Sequence, residues 1–180
     1  VPVANLKEIQ SMLSDTVLKA LNTQVNEEMY SWYVYTAMAN HFDNVALKGF
    51  SAWMRTQATE ELGHAHRLMD YIRDRGCAVD LQAIKAPPST WDSPLAAMEA
   101  SYKHECHISK CINDLANLAN KEGDQTTQTF LHWFINEQIE EEALVDGVVQ
   151  QLRYVQDSPS GLFMMDRDIA ATRPQGGAAE

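Results

Sequence analysis

Glu61 and His64 stand three residues apart inside a long stretch of helical apolar spacing. That separation puts a carboxylate and an imidazole on one helix face. The pair suits a metal site built on a helix, because a carboxylate can span two cations while the imidazole binds one. Taken alone, the triplet is also what a surface ion pair or a capping histidine produces. Carboxylates elsewhere in the chain change its meaning. Glu28, Glu105 and Glu141 each fall near the middle of a different long helical stretch. In an antiparallel bundle, such mid-helix positions meet at one level. Four inward carboxylates beside an imidazole cannot stay charged and unpaired in an apolar core. They must be protonated, solvated or neutralised by cations, and an oxygen and nitrogen donor set suits iron or manganese.

The competing reading is that these acids face water, since a helical chain with 25 acidic residues aligns some of them by chance. For Glu140 and Glu142 that reading is strong. Against it for Glu105 stand Tyr102 and Ile108, three residues before and after. Glu27 and Glu28 compete for one inward position. Glu28 takes it, because Val25, Trp32 and Tyr35 share its face. Tyr35 follows Glu28 by two helical turns. His41, His66, His104, His107 and His132 form no second Glu-x-x-His and are expected at the surface or in packing.

The elements that must position these groups follow from periodicity. Val17, Leu18, Leu21, Val25, Met29, Trp32, Tyr33 and Met38 predict a first helix over about 17–42, with Ser11 or Ser14 as its cap. A turn at Asp43–Asn44 leads into a second helix over about 45–75, closed by Gly76. Residues 77–93 carry Pro87-Pro88-Ser89 and no helical pattern. A connector this long fits a crossover that returns the third helix parallel to the second. Pro94 opens that third helix, capped by Asp92 or Ser93 and running to about Lys121. The fourth covers about 126–155, with Phe130, Phe134, Ile135, Ile139, Leu144, Val148 and Leu152 as its apolar repeat. Asp157, Ser158, Pro159 and Gly161 break it. A short fifth helix over about 160–171 and a tail at 172–180 complete a single domain of residues 1–180, whose core bundle covers about 11–156.

The chain has 180 residues, is 45% hydrophobic and carries a formal net charge of −11. It is long enough for one good core. An acidic surface disfavours nucleic acid and anionic membranes and suits soluble cations. Cys77, Cys106 and Cys111 form no C-x-x-C, which excludes a zinc knuckle or a dithiol redox motif of that type. No apolar run approaches the length of a membrane span. A sparse, odd cysteine count fits a reducing compartment, so a cytoplasmic protein is expected, or an organellar one if a transit segment has been removed.

With these motifs in place, the chain resembles a non-haem ferritin of the bacterial type over about residues 8–171. The resemblance rests on four signatures at matching intervals: Leu21-Asn22-x-Gln24-x-Asn26-x-Glu28-x-Tyr30; Glu60-Glu61-x-x-His64; Tyr102-Lys103-His104-Glu105; and Glu137-Gln138-x-Glu140-Glu141-Glu142. It implies an all-α, ferritin-like four-helix bundle with one long crossover and a short C-terminal fifth helix. It also implies a ferroxidase centre for two iron ions. Glu28, Glu61 and His64 would hold the first, with Glu61 bridging, and Glu105 and Glu141 the second. Gln138 would sit beside them as a hydrogen-bonding neighbour. Tyr35 matches a tyrosine able to give an electron during oxygen reduction, and Trp133 an aromatic close to the centre. Glu60, Glu137 and Glu140 match carboxylates of a third iron site. A homo-oligomeric shell of 24 subunits, taking Fe(II) and dioxygen and storing Fe(III) mineral, is implied as well.

The departures from relatives narrow this expectation. The fourth helix offers Gln138-Ile139-Glu140-Glu141, with no histidine where haem-containing ferritins and rubrerythrins carry their second Glu-x-x-His. Leu62 follows the bridging glutamate where a haem-holding methionine would stand, so no haem is expected. Two rivals remain. A bundle of this class can turn a dinuclear site on an organic substrate, which requires a substrate cavity. An interaction protein would keep the glutamates outside.

Overall fold

A computed structural model describes residues 13–155 and 157–172. Five helices follow one another: α1 (Asp15–Asn44), α2 (Lys48–Asp74), α3 (Pro94–Lys121), α4 (Gln125–Val155) and α5 (Pro159–Ile169). There is no strand among the described residues. α1 packs along α2, α3 along α4, and α1 against α3, giving a four-helix bundle with α5 docked on α2 and α4. The expected cap at Ser11 and the tail at 173–180 lie outside the described residues, as do positions 11, 12 and 156.

The boundaries have local causes. The Ser14 hydroxyl accepts from the Val17 amide at 3.3 Å and caps α1. Ser93 does the same for α3, from the Ala96 amide at 3.0 Å, with Pro94 as the first helical residue. Gly76 closes α2 at φ 72°, a left-handed conformation that costs glycine nothing, and the Cys77 amide reaches back to the Ile72 carbonyl. The second helix starts three residues later than its apolar spacing suggests. Ala46 sits at φ 62°, and the Leu47 amide closes on the Phe42 carbonyl, so Val45–Leu47 form the reversal between α1 and α2. The crossover is tied along α1: Asn22 Oδ1 accepts from the Asp80 amide at 2.8 Å, and the Lys85 ammonium lies 4.2 Å from the Tyr30 ring centre.

Two apolar clusters fill the bundle, one on each side of its middle. One contains Tyr35, Met38, Phe42, Phe50, Trp53, Met98, Val145 and Leu152. The other contains Val17, Leu21, Val25, Leu68, Ile72, Ile108, Leu131 and Phe134. Between them each helix contributes polar side chains to the interior, among them Gln24, Glu28, Gln57, Glu61, His64, Glu105, Gln138 and Glu141. Two residues of the apolar repeat do not belong to the core: Ile139 is 65% exposed and Tyr33 40% exposed. Helical spacing marks a broad stripe, and its margins point past the neighbouring helices.

The start of α2 has no side-chain cap of its own. Asp166 of α5 supplies one: its carboxylate accepts from the Phe50 amide at 3.0 Å. This close approach requires Gly49, because an added Cβ would fall 1.5 Å from the Asp166 carbonyl oxygen. Gly49→Ala is therefore expected to undock α5 and to cost roughly 2–3 kcal/mol in thermal or denaturant unfolding. Unfolding indistinguishable from the parent would contradict this account of the docking.

Candidate metal centre

Each helix delivers its functional group from the boundary between the two apolar clusters. Glu28 follows Val25 by one turn on α1, and Glu61 and His64 lie between Ala58 and Leu68 on α2. Glu105 lies between Ser101 and Ile108 on α3, and Glu141 between Gln138 and Val145 on α4. Glu28, Glu61 and Glu105 are each 1% exposed; Glu141 and His64 are almost as deeply buried.

The tightest group is Glu28, Glu61 and His64, whose donor atoms all lie within 4.8 Å of one another. His64 Nδ1 is 3.4 Å from Glu61 Oε2 and 3.9 Å from Glu28 Oε2. Glu28 Oε2, Glu61 Oε1 and His64 Nδ1 are buried without a hydrogen-bond partner. Three such atoms facing one small volume are costly in a folded chain unless something positive fills that volume. Glu105 and Glu141 lie outside this tight triad, yet both carboxylates act on Glu61 electrostatically. Glu61 thus lies within electrostatic reach of the other three acids.

Neighbours hold the remaining oxygens in place. Gln24 donates to Glu28 Oε1 at 2.8 Å. Gln138 donates to Glu105 Oε2 at 3.2 Å, and the Tyr35 hydroxyl donates to Glu105 Oε1. Gln57 reaches across from α2 to Glu141. Trp133 meets the His64 ring edge-on at 5.4 Å, and His104 meets the Tyr35 ring edge-on at 5.9 Å while its Nε2 lies 2.7 Å from the Ser31 hydroxyl.

The electrostatics follow from burial. Desolvation, followed by the charge of Glu61, pushes the Glu28 carboxyl far above the ordinary range. Glu61 is driven up by burial and then by Glu105 and Glu141. Burial also raises Glu105, and burial with the Glu105 charge raises Glu141 to about 7. The Tyr35 hydroxyl is raised as well, by burial and then by Glu105. His104 is pushed down to about 4 by burial and then by His107.

The structure therefore brings five of the expected residues, Glu28, Glu61, His64, Glu105 and Glu141, to one buried level, with Tyr35 and Gln138 in contact with Glu105. It does not gather Glu60, Glu137 and Glu140 in the same way. Glu60 and Glu137 are half-buried, Glu140 is exposed, and the three form no tight cluster among the described residues. Sequence reasoning missed two features. Gln57 had no signal beyond its place on the buried side of α2. Glu27, His107 and Cys111 form a second group of potential ligands, and only the i, i+4 relation of His107 and Cys111 was visible in advance.

A four-helix bundle with carboxylates and one histidine converging at mid-height has the donor arrangement seen in metal-binding four-helix bundles. Comparison with known proteins identifies the branch. The ferritin-like domain family matches residues 18–155. The bacterial non-heme ferritin of Bacteroides fragilis strain 638R is 37% identical over 158 residues, which cover 88% of this chain and 98% of that one. That of Campylobacter jejuni is 37% identical over 158 residues, covering 88% and 95%. Among solved structures, an Archaeoglobus fulgidus ferritin engineered into a closed form superposes with a TM-score of 0.88 at 43% identity, covering 91% of this chain and 99% of the other. The open-pore ferritin of the same archaeon superposes at 0.87 and 44% identity, covering 88% and 98%. The chain belongs to the ferritin family, among the bacterial and archaeal non-haem ferritins.

Proposed function

We propose that this chain oxidises Fe(II) with dioxygen at the buried centre and stores the Fe(III) produced. The observation that carries the reading is the set of unsatisfied buried atoms on Glu28, Glu61 and His64, flanked by two further buried carboxylates. Family membership supports it. In this reading Glu28 and His64 hold one Fe(II), Glu105 and Glu141 the other, and Glu61 touches both. Two Fe(II) held side by side surrender one electron each to a single dioxygen, a two-electron reduction that one isolated ion cannot complete. The protein supplies ion spacing, charge neutralisation and open coordination positions. Gln24, Gln57 and Gln138 orient the carboxylates, and such supporting contacts tune a metal site nearly as much as its ligands do. Tyr35, hydrogen-bonded to Glu105, would give a further electron during oxygen reduction. Glu60, Glu137 and Glu140 are proposed to hold a third, looser iron on its way out of the centre.

Storage requires a compartment, and we assign it to a shell of 24 copies. Large apolar groups left outward support assembly: Leu81, Ile139, Tyr154, Phe163 and Met164 are all more than half exposed. Two of these lie on α5. The acidic surface that repels nucleic acid would draw Fe(II) toward such a shell. A cytoplasmic setting, or an organellar one, fits this function. Among the described residues no helix is long and apolar enough to cross a membrane.

The test is aerobic addition of Fe(II) far beyond two per chain, followed by light scattering and iron analysis of the same particles. A cage-sized particle that retains the added iron as Fe(III) is expected. A strictly monomeric protein across a range of salt concentrations, or one that releases its iron, would refute the storage reading.

A further inference from the structure

Outside the buried centre, Glu27 on α1 faces His107 and Cys111 on α3. His107 Nε2 is 3.1 Å from Glu27 Oε2 and 3.5 Å from Cys111 Sγ, and all three donor atoms fall within 4.8 Å of one another. His107 is exposed, and Glu27 and Cys111 are partly buried. We propose that these three side chains form a second cation site, selective for a borderline-soft divalent ion of the Zn(II) class.

Three features carry the assignment. The first is donor chemistry: a thiolate, an imidazole and a carboxylate form a mixed S, N, O set, which favours late first-row divalent ions over Fe(II). The all-oxygen and nitrogen set at the buried centre has no such softness. The second is geometry. Ordinary Zn–N, Zn–O and Zn–S bond lengths at tetrahedral angles place nitrogen ~3.3 Å from oxygen and ~3.6 Å from sulfur. The distances around Nε2 already lie close to both values, and the carboxylate and the thiol lie within 4.8 Å of each other. The third is hydrogen bonding. A single ring nitrogen carries one proton or one lone pair, so Nε2 pairs fully with the carboxylate or with the thiol, not with both. An ion pair explains Glu27 and His107 but leaves Cys111 without a reason to point at the same nitrogen. A cation at the centre of the three satisfies all of them, with water in the fourth position.

The scaffold favours this. His107 and Cys111 are one turn apart on α3, so one helix fixes two donors, and the packing of α3 on α1 brings the third. Glu27 is the chain neighbour of Glu28, but a helix turns successive residues about 100° apart. The two carboxylates therefore serve different sides of α1.

Co(II) is the suitable probe, because a thiolate ligand gives it an intense near-ultraviolet charge-transfer band that carboxylates and imidazoles do not. Titration of the assembled protein is expected to develop that band to the amplitude of one thiolate-bound Co(II) per chain, whatever further Co(II) the buried centre takes without a band, and Zn(II) should displace it. Cys111→Ser should abolish the band, and His107→Ala should weaken binding at least about tenfold. Cys106→Ser and Glu61→Ala should leave it in place. A parent protein without a thiolate band at saturating Co(II) would overturn the proposal. So would a band that survives Cys111→Ser, or one that vanishes with Glu61→Ala, which would assign the thiolate to the buried centre.

Discussion

Glu61→Ala is expected to abolish the rapid oxidation of Fe(II) while leaving the helices folded. The effect should be large because Glu61 shares the tight group with Glu28 and His64 and is also within electrostatic reach of Glu105 and Glu141. Loss of a residue that merely supports a ligand commonly costs 10–100-fold in metal affinity. Loss of a ligand to both ions should exceed that, so the fast phase should fall by roughly 100-fold or more. Folding should survive, because the change removes a buried carboxyl that repels its neighbours when ionised. Stopped-flow mixing with oxygen, with helicity checked first, reads both effects. Tyr35→Phe provides the contrast. It should keep the binding and the fast phase, yet alter the decay that follows, since the phenol donates to Glu105 and is not itself a proposed ligand.

Cation-free protein is expected to lose stability as pH rises from about 6.5 to about 8, above the range in which His104, held down to about 4 in the fold, acts in the opposite direction. The sign follows from proton binding. Glu28, Glu61, Glu105 and Glu141 all hold their protons above the ordinary carboxylate range in the folded chain, chiefly through burial. The unfolded chain has released those protons by then. Where the native state binds more protons, stability falls as pH rises. For Glu141 the loss runs from the usual carboxylate value up to about 7, which is on the order of 3 kcal/mol if that shift acts alone. A divalent cation replaces the protons, so its stabilising effect should grow over the same range. Thermal unfolding with and without saturating cation measures this. A melting temperature that is flat with pH, and a cation effect equal at both ends, would show that these carboxyls are solvated.

Most of the bundle could be read before the structure, because its causes are local. Ser14, Gly76, Ser93 and Pro94 mark helix ends through capping and backbone preference, and each does so in the fold. Glu28 was separable from Glu27 by which apolar residues share its face. Glu105 declared itself through Tyr102 and Ile108 on either side. What periodicity left unread depends on the distance between helices. The start of α2 moved because Ala46 adopts a left-handed turn that no residue type announced. Ile139 fits the apolar repeat of α4 yet points outward, since the stripe is wider than the contact. Gln57 reaches Glu141 across the gap between α2 and α4, and Glu27 meets His107 and Cys111 across another. Contacts between side chains far apart in sequence leave no trace in the spacing of one helix. The roles of Glu60, Glu137 and Glu140 rest on resemblance alone, since the three form no tight cluster among the described residues.

In the proposed reading the buried carboxylates and His64 hold two Fe(II) ions as a pair. Anaerobic Fe(II) titration of the unaltered protein, with each point then mixed with oxygen, addresses it directly. Binding should break at two Fe(II) per chain, and the rapid oxidation amplitude should rise to the same break, with one dioxygen consumed for each pair. A break at one Fe(II) per chain, or oxidation that climbs smoothly with no break, would contradict a paired centre and return these glutamates to the role of buried, protonated acids.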